Sequence, residues 1–265
     1  MKTVKIAWYG IHNGEEPPLL PAGGIFFSGC NLRCIFCQNY QISQGGLGNN
    51  YSIAELADIM IRLQNMGAAC IDLVTPTIWH RQISEAILLA KNAGLILPIV
   101  WNSNAYEDIK IIQAMEGLVD IYLPDFKYSD DYSAYKYSGV RNYLQTATQA
   151  IQEMWRQVGQ LEIENEKAVR GLIVRHLVLP NNLENSFGVL KKISEISTDI
   201  HLGLMNQYWP MHQAKNFPEL MRVVSEKEFE KICDYLQELG FTNGWIQGEK
   251  SQDNLVPDFA KKEPF

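Results

Sequence analysis

Phe27-Ser28-Gly29-Cys30-Asn31-Leu32-Arg33-Cys34-Ile35-Phe36-Cys37-Gln38-Asn39 places three of the chain's five cysteines between positions 30 and 37. Spacings of three and two intervening residues let three thiolates curl round one iron–sulfur cubane and ligate three of its four irons. A complete cluster takes a fourth cysteine, and none is nearby. The fourth iron is then left open, and an open coordination site signals chemistry, as it does for zinc. A structural zinc site, or a cluster completed by a distant residue, is the competing reading. Zinc fingers and ribbons pair two close couples of ligands, however, and no second couple exists here.

Upstream of this loop, Gly24-Ile25-Phe26-Phe27 reads as a buried strand running straight into the cysteines. Downstream, Ser52 and Glu55 form a capping-box pattern ahead of a helical stripe at Leu56, Ile59, Met60 and Leu63, ended by Gly67. Strands are expected at 70–74, 95–101, 118–123, 172–179 and 199–205. Helices are expected at about 83–92, 106–115, 130–159 with a break at Gly139, 184–196 and 226–239. Pro124 halts the fourth strand because it cannot donate to a ladder. Alternating strands and helices imply parallel strands with right-handed crossovers. About six such units fall short of the eight of a closed barrel, so the expected fold is α/β, an open, partial β/α barrel. With no Gly/Ser linker and no repeat, residues 1–265 read as one domain. An N-terminal extension covers 1–22 and an irregular tail about 249–265. The cysteine loop follows the first strand at the C-terminal, catalytic face of such a barrel.

Composition sets the outer bounds. In 265 residues, 46% are hydrophobic and 20% charged, the balance of an ordinary globular chain. A net charge of −7 argues against a nucleic-acid footprint. No apolar run is long enough to span a membrane, and Met1 to Ile6 has no signal-peptide h-region. An odd cysteine count crowded into one loop suits metal binding in a reducing compartment, with the cytoplasm as default. Cys70 and Cys233 read as small buried hydrophobes.

A CxxxCxxC loop with an aromatic before its third cysteine resembles the signature of the radical S-adenosylmethionine (SAM) superfamily. The longer string resembles one branch of it, the radical SAM proteins similar to pyruvate formate-lyase activating enzymes. That string runs from Glu15-Glu16-Pro17-Pro18 through Phe26-Phe27-Ser28-Gly29-Cys30 to Cys37-Gln38-Asn39-Tyr40. Leu73-Val74-Thr75-Pro76-Thr77, Tyr122-Leu123-Pro124-Asp125-Phe126-Lys127-Tyr128, Val174-Arg175-His176-Leu177-Val178-Leu179-Pro180 and Met205-Asn206-Gln207-Tyr208 fit the same branch.

The resemblance implies a [4Fe-4S] cluster on Cys30, Cys34 and Cys37, whose open iron chelates SAM. It implies reductive cleavage of SAM to methionine and a 5′-deoxyadenosyl radical, which abstracts hydrogen from a substrate. Phe36 is expected near the adenine. Thr75-Pro76-Thr77 stands where most of the superfamily has a Gly-Gly-Glu-like segment that meets the SAM amino group. Read without the resemblance, it is a Thr-capped helix start. Asp125 and Lys127 match a pair that related activating enzymes place close to SAM and substrate; by themselves they are equally an exposed ion pair.

Arg175 lies in a strongly apolar strand and needs a fixed anionic partner, which the resemblance makes the SAM carboxylate; the alternative is a structural ion pair. His176 alternates with it and points to the opposite face, as a packed histidine. Asn102 and Ser103 are expected at the ribose. Gln207 and Tyr208 face either the substrate or simple packing against Trp209. A weak cationic strip is suggested by Arg141, Arg156 and Arg170. One cluster is expected, because the chain starts after the cysteine-rich segment that longer members of the branch carry.

Three functions compete. The first is a glycyl-radical-enzyme activase with a protein substrate, an electron donor such as flavodoxin or ferredoxin, and a barrel mouth open to a protein loop. The second is a radical SAM enzyme acting on a small metabolite or peptide. The third is a non-catalytic iron–sulfur protein for electron transfer or scaffolding. Shared folds carry grafted sites, so the initiating step is better specified than the substrate.

Overall fold

The computed structural model describes residues 3–14, 16–247 and 257–265. Glu15 of the quoted string and residues 249–256 of the expected tail lie outside these. The chain begins with β1 (Thr3–His12), antiparallel to β2 (Ala22–Phe27). β1 buries Val4, Ile6, Gly10 and His12, so part of the expected extension is a sheet strand. The cysteine loop and a short helix, α1 (Tyr40–Ser43), lead into β3 (Asn49–Ser52), which pairs with the outer edge of β1.

From there the chain alternates. α2 (Ile53–Asn65) starts at Ser52 with the expected capping box: Ser52 accepts from the Glu55 amide, and the Glu55 carboxylate accepts from the Ser52 amide. β4 (Cys70–Val74), α3 (His80–Asn92), β5 (Ile99–Ser103), α4 (Ile109–Ala114) and β6 (Ile121–Pro124) follow. β5 starts at Ile99 rather than Leu95, because Pro98 has no N–H to pair and Ile96 lies exposed in the turn. α4 starts at Ile109 rather than Tyr106, because Asp108 takes the cap and accepts from the Lys110 amide.

Asp131–Ser138 is α5 and Tyr143–Val158 is α6, separated at Gly139, whose φ of 72° ends the first helix in the left-handed region. β7 (Glu162–Glu164) and β8 (Lys167–Leu177) form a hairpin around Asn165-Glu166. α7 (Leu183–Ile196), β9 (His201–Met205), α8 (Glu226–Glu238) and β10 (Gly244–Gln247) complete the described elements.

The sheet runs β10-β9-β8-β6-β5-β4-β2-β1-β3, with every neighbour from β10 to β2 parallel. This is the open, partial β/α barrel, with β10 as a further parallel strand beyond the six expected. Side-chain alternation sorts its residues into two cores. Ile71, Leu73, Ile99, Trp101, Tyr122, Leu172 and Val174 face the helices. Cys70, Val100, Ile121, Leu123 and Ile173 face the opposite way and, with Leu19, plug the bottom of the barrel. Each strand therefore sends its next inward residue to the same level above the plug. Val100 is followed by Asn102, Leu123 by Asp125, and Ile173 by Arg175.

His176 faces the helices, as alternation requires. It is fully buried, with Nδ1 against the Phe126 carbonyl and Nε2 against the Ser186 hydroxyl. A carbonyl can only accept, so Nδ1 carries the proton and Nε2 accepts from Ser186. Arg156 is tied to Glu153 and Glu116, and the Arg170 guanidinium donates to the Gln157 carbonyl, so the suggested cationic strip is not an unpaired one.

Burial lowers the pKa of His176 to about 4. As pH falls, the unfolded chain takes up a proton near its ordinary value of about 6.5, before the folded chain can. Stability is therefore flat above that pH and declines from there toward pH 4, by at most about 3 kcal/mol from this residue. His176→Asn should flatten that part of the pH–stability curve in urea titrations while lowering stability at pH 7.5.

Candidate active site

A cavity of about 210 Å³ opens at the C-terminal ends of the parallel strands. It is lined by the three cysteines, by Phe36, and by residues that end or follow each strand: Thr75 after β4, Asn102, Ser103 and Asn104 at β5, Asp125 and Lys127 after β6, Arg175 in β8 and Gln207 after β9. Parallel topology gathers them, because each strand ends on the same edge.

The charged wall is built where β6 and β8 part. They pair through Ile121 and Tyr122, separate, and meet again at a bridge between Asp125 and Arg175. Arg175 Nε donates to Asp125 Oδ1 at 2.7 Å, and Lys127 Nζ to Asp125 Oδ2 at 2.8 Å. Another Arg175 nitrogen donates to Asn102 Oδ1 at 2.6 Å. Burial alone would raise the Asp125 carboxyl, but Arg175 and then Lys127 hold it below its ordinary value. Burial would likewise depress Lys127, and Asp125 holds it above. The trio carries one net positive charge beside the thiols.

Each thiol has a side-chain hydrogen-bond neighbour. Asn104 Nδ2 donates to Cys30 Sγ at 3.3 Å and Ser138 Oγ to Cys34 Sγ at 3.0 Å, while Ser43 Oγ lies 3.3 Å from Cys37 Sγ. Burial pushes the Cys34 thiol up to about 12, and raises Cys30 and Cys37 as well. Loading a metal there must displace those protons. Among the described residues, no group of His, Cys, Asp or Glu is gathered tightly enough for a single metal ion. In a cubane the three cysteines would each bind a different iron. The donor set is thus three thiols, two of them with a side-chain donor aimed at sulfur, and Gln207 Oε1 is buried on the cavity wall without a hydrogen-bond donor among the described residues.

Most expected site residues converge here, and two do not. Pro76 caps the 3₁₀ turn Thr77–Trp79, outside the cavity lining. The Thr77 hydroxyl turns away and donates to Glu107 Oε1 at 2.9 Å. Thr75 does face the cavity, at a φ of 59° that a β-branched residue adopts only under strain, with its amide on the Asn102 carbonyl. Phe36 stacks edge-on against Tyr208, with ring centroids 5.9 Å apart. Tyr208 itself is fully buried and donates to the Leu220 carbonyl, so it packs rather than faces a substrate.

Three residues that sequence reading missed matter most. Glu107, almost fully buried, accepts from Thr77, Trp101 and Ser103 and so ties the loop after β4 to the end of β5. Asn104 follows the singled-out Asn102-Ser103, and that position was its one sequence signal. Ser138, at the end of an ordinary helix, had none.

The mouth is less open than expected. Pro257 and Phe265 line the cavity, and Phe265 packs against His12 and Phe26 with centroids 4.4 and 5.2 Å away. Gln41, beside the cysteine loop, holds this strap by donating to Asp258 and accepting from the Phe259 amide.

The family described as the Radical SAM superfamily matches residues 25–161. An uncharacterized protein of Methanocaldococcus jannaschii is 31% identical over 245 residues, covering 87% of this chain and 67% of that one. Streptococcus suis SuiB bound to S-adenosylmethionine superposes with a TM-score of 0.58 at 13% identity, over 83% of this chain and 48% of that one. SuiB bound to its precursor peptide SuiA gives a TM-score of 0.58 at 12% identity, over 83% and 47%. The chain spans about half the length of SuiB, and at that identity the likeness is one of fold. No helix among the described residues is long and apolar enough to cross a membrane.

Asp125→Ala would leave Arg175 and Lys127 facing each other without their shared anion. A loss of about 3 kcal/mol in urea-unfolding free energy is expected, with Asp125→Glu recovering part of it.

Proposed function

This chain belongs to the radical SAM superfamily, and from that premise we propose that it holds a [4Fe-4S] cluster on Cys30, Cys34 and Cys37 and binds SAM in the adjoining cavity. The observation that carries this reading is that one cavity is lined both by the three thiols and by the Arg175–Asp125–Lys127 wall. When bound, the cluster and SAM supply reductive cleavage of a sulfonium and, from it, hydrogen abstraction from a substrate.

The chain's own residues bind and orient. Arg175 offers a cation for the SAM carboxylate, and its guanidinium is aimed by Asp125 and Asn102. Lys127 carries the second positive charge, within reach of cofactor and substrate. Phe36 gives an apolar wall for the adenine, Gln207 Oε1 an acceptor for a hydroxyl or amine, and Thr75 its strained backbone. Asn102 and Ser103 border the remaining floor, although the Ser103 hydroxyl is committed to Glu107 at 2.6 Å. In this reading residues 1–265 act as one domain, and the electron arrives from a carrier of the flavodoxin or ferredoxin class.

For the substrate, the strap across the mouth favours a small metabolite or an extended peptide. A glycyl radical enzyme, which the Asp125–Lys127 pair also suits, requires the strap to move aside.

Anaerobic reconstitution with iron and sulfide, followed by dithionite and SAM, should yield 5′-deoxyadenosine by mass-resolved chromatography. Cys34→Ala should abolish it. A chain that assembles a cluster yet forms no 5′-deoxyadenosine, with or without candidate substrates, would instead be a non-catalytic iron–sulfur protein.

A further inference from the structure

Two buried polar groups close to the cysteine loop, Ser138 and Tyr128, have no role in binding SAM under the cluster reading. Both are fully buried, on α5 and on the segment just before it. The Ser138 hydroxyl lies 3.0 Å from Cys34 Sγ and 2.6 Å from the Tyr128 hydroxyl. A thiolate that ligates iron can only accept, so Ser138 must donate its single proton to sulfur. Its oxygen then accepts from Tyr128, and the whole chain of bonds points one way, from Tyr128 through Ser138 to Cys34. Aligned hydrogen bonds of this kind polarise one another.

Cys30 is served from another element. Asn104 gives one amide proton to Cys30 Sγ and the other to Asn31 Oδ1 at 2.7 Å, while its own oxygen accepts from the Tyr106 amide at 3.0 Å. Flipping the amide would lose all three bonds, so Asn104 presents a donor, never an acceptor, to the sulfur. Asn104 is held in place in turn by Ala105 at a φ of 62° and by the Glu107 clamp two residues beyond.

We propose that Ser138, backed by Tyr128, and Asn104 are positioning residues that set the reduction potential of the cluster by donating hydrogen bonds to two of its three cysteine sulfurs. Reduction adds an electron to the cluster, and a donor at sulfur stabilises that added negative charge. Removing a donor therefore makes the cluster harder to reduce. The effect is graded: Ser138→Ala removes the bond to sulfur, whereas Tyr128→Phe leaves it in place and takes away only its polarising partner.

This rests on the cluster reading, and the test separates the two. Wild type, Tyr128→Phe, Ser138→Ala and Asn104→Leu are reconstituted anaerobically, and iron and sulfide are counted per chain. Each is then titrated by EPR without SAM. At equal cluster content, Ser138→Ala and Asn104→Leu should each shift the reduced-to-oxidised ratio about tenfold toward oxidised at a fixed potential, or about 59 mV for a one-electron couple. Tyr128→Phe should move it the same way by less. If Ser138→Ala fails to hold a cluster, Tyr128→Phe and Asn104→Leu decide. Unchanged potentials in cluster-bearing variants, or Tyr128→Phe shifting upward, would overturn the proposal while leaving the cluster reading intact. A wild-type chain that takes up no cluster would end both.

Discussion

Parallel alignment is the constraint from which the rest of this structure follows. Seven strands from β2 to β10 run the same way, so all seven end on one edge of the sheet. Chemistry-bearing residues that lie far apart in sequence, such as Cys34, Asn102, Asp125, Arg175 and Gln207, are brought to one edge by that fact. Alternation within each strand does the rest. It makes Ile173 part of the plug and Arg175 part of the cavity wall, and sends His176 to the helices.

Burying so much polarity next to an apolar plug has to be offset by partners, because an unpaired buried charge costs several kcal/mol. The structure meets this with shared acceptors. One carboxylate, Asp125, serves two cations, and another, Glu107, serves a threonine, an indole and a serine. The Tyr143 hydroxyl accepts from the Lys127 amide and lies 3.1 Å from the carbonyls of both Asn104 and Asp125, joining the two networks. The thiols thus sit in a rigid polar frame, which suits a site where geometry must be fixed before a cofactor arrives.

The cavity has two walls of different character. One is cationic and hydrogen-bonded, and its residues come from the strands of the barrel. The other is aromatic, formed by His12, Phe26 and Phe265, and draws on β1, the end of β2 and the strap at 257–265. In the proposed reading the first wall is the one that receives the SAM carboxylate. The second joins the end of one barrel strand, β2, to β1 and the strap, which lie outside the parallel strands.

The sequence by itself determined the class of chemistry and the parallel fold. Three cysteines in one short loop are local, and so are the capping box at Ser52 and the apolar runs that became β2, β4, β6, β8 and β9. Local patterns are legible because period and spacing are properties of consecutive residues. β3 and β10 were not legible, since Asn49–Ser52 and Gly244–Gln247 carry little apolar pattern and are strands because a neighbouring edge offers its backbone. The same holds within the site. Arg175 could be singled out because a guanidinium in an apolar strand demands a partner, but only folding made that partner Asp125. Glu107, Ser138 and the strap at Phe265 looked like ordinary helix or tail residues. Their roles depend on atoms far away in the chain, Thr77 for Glu107, Cys34 for Ser138 and Phe26 for Phe265, and only tertiary packing decides what those atoms are.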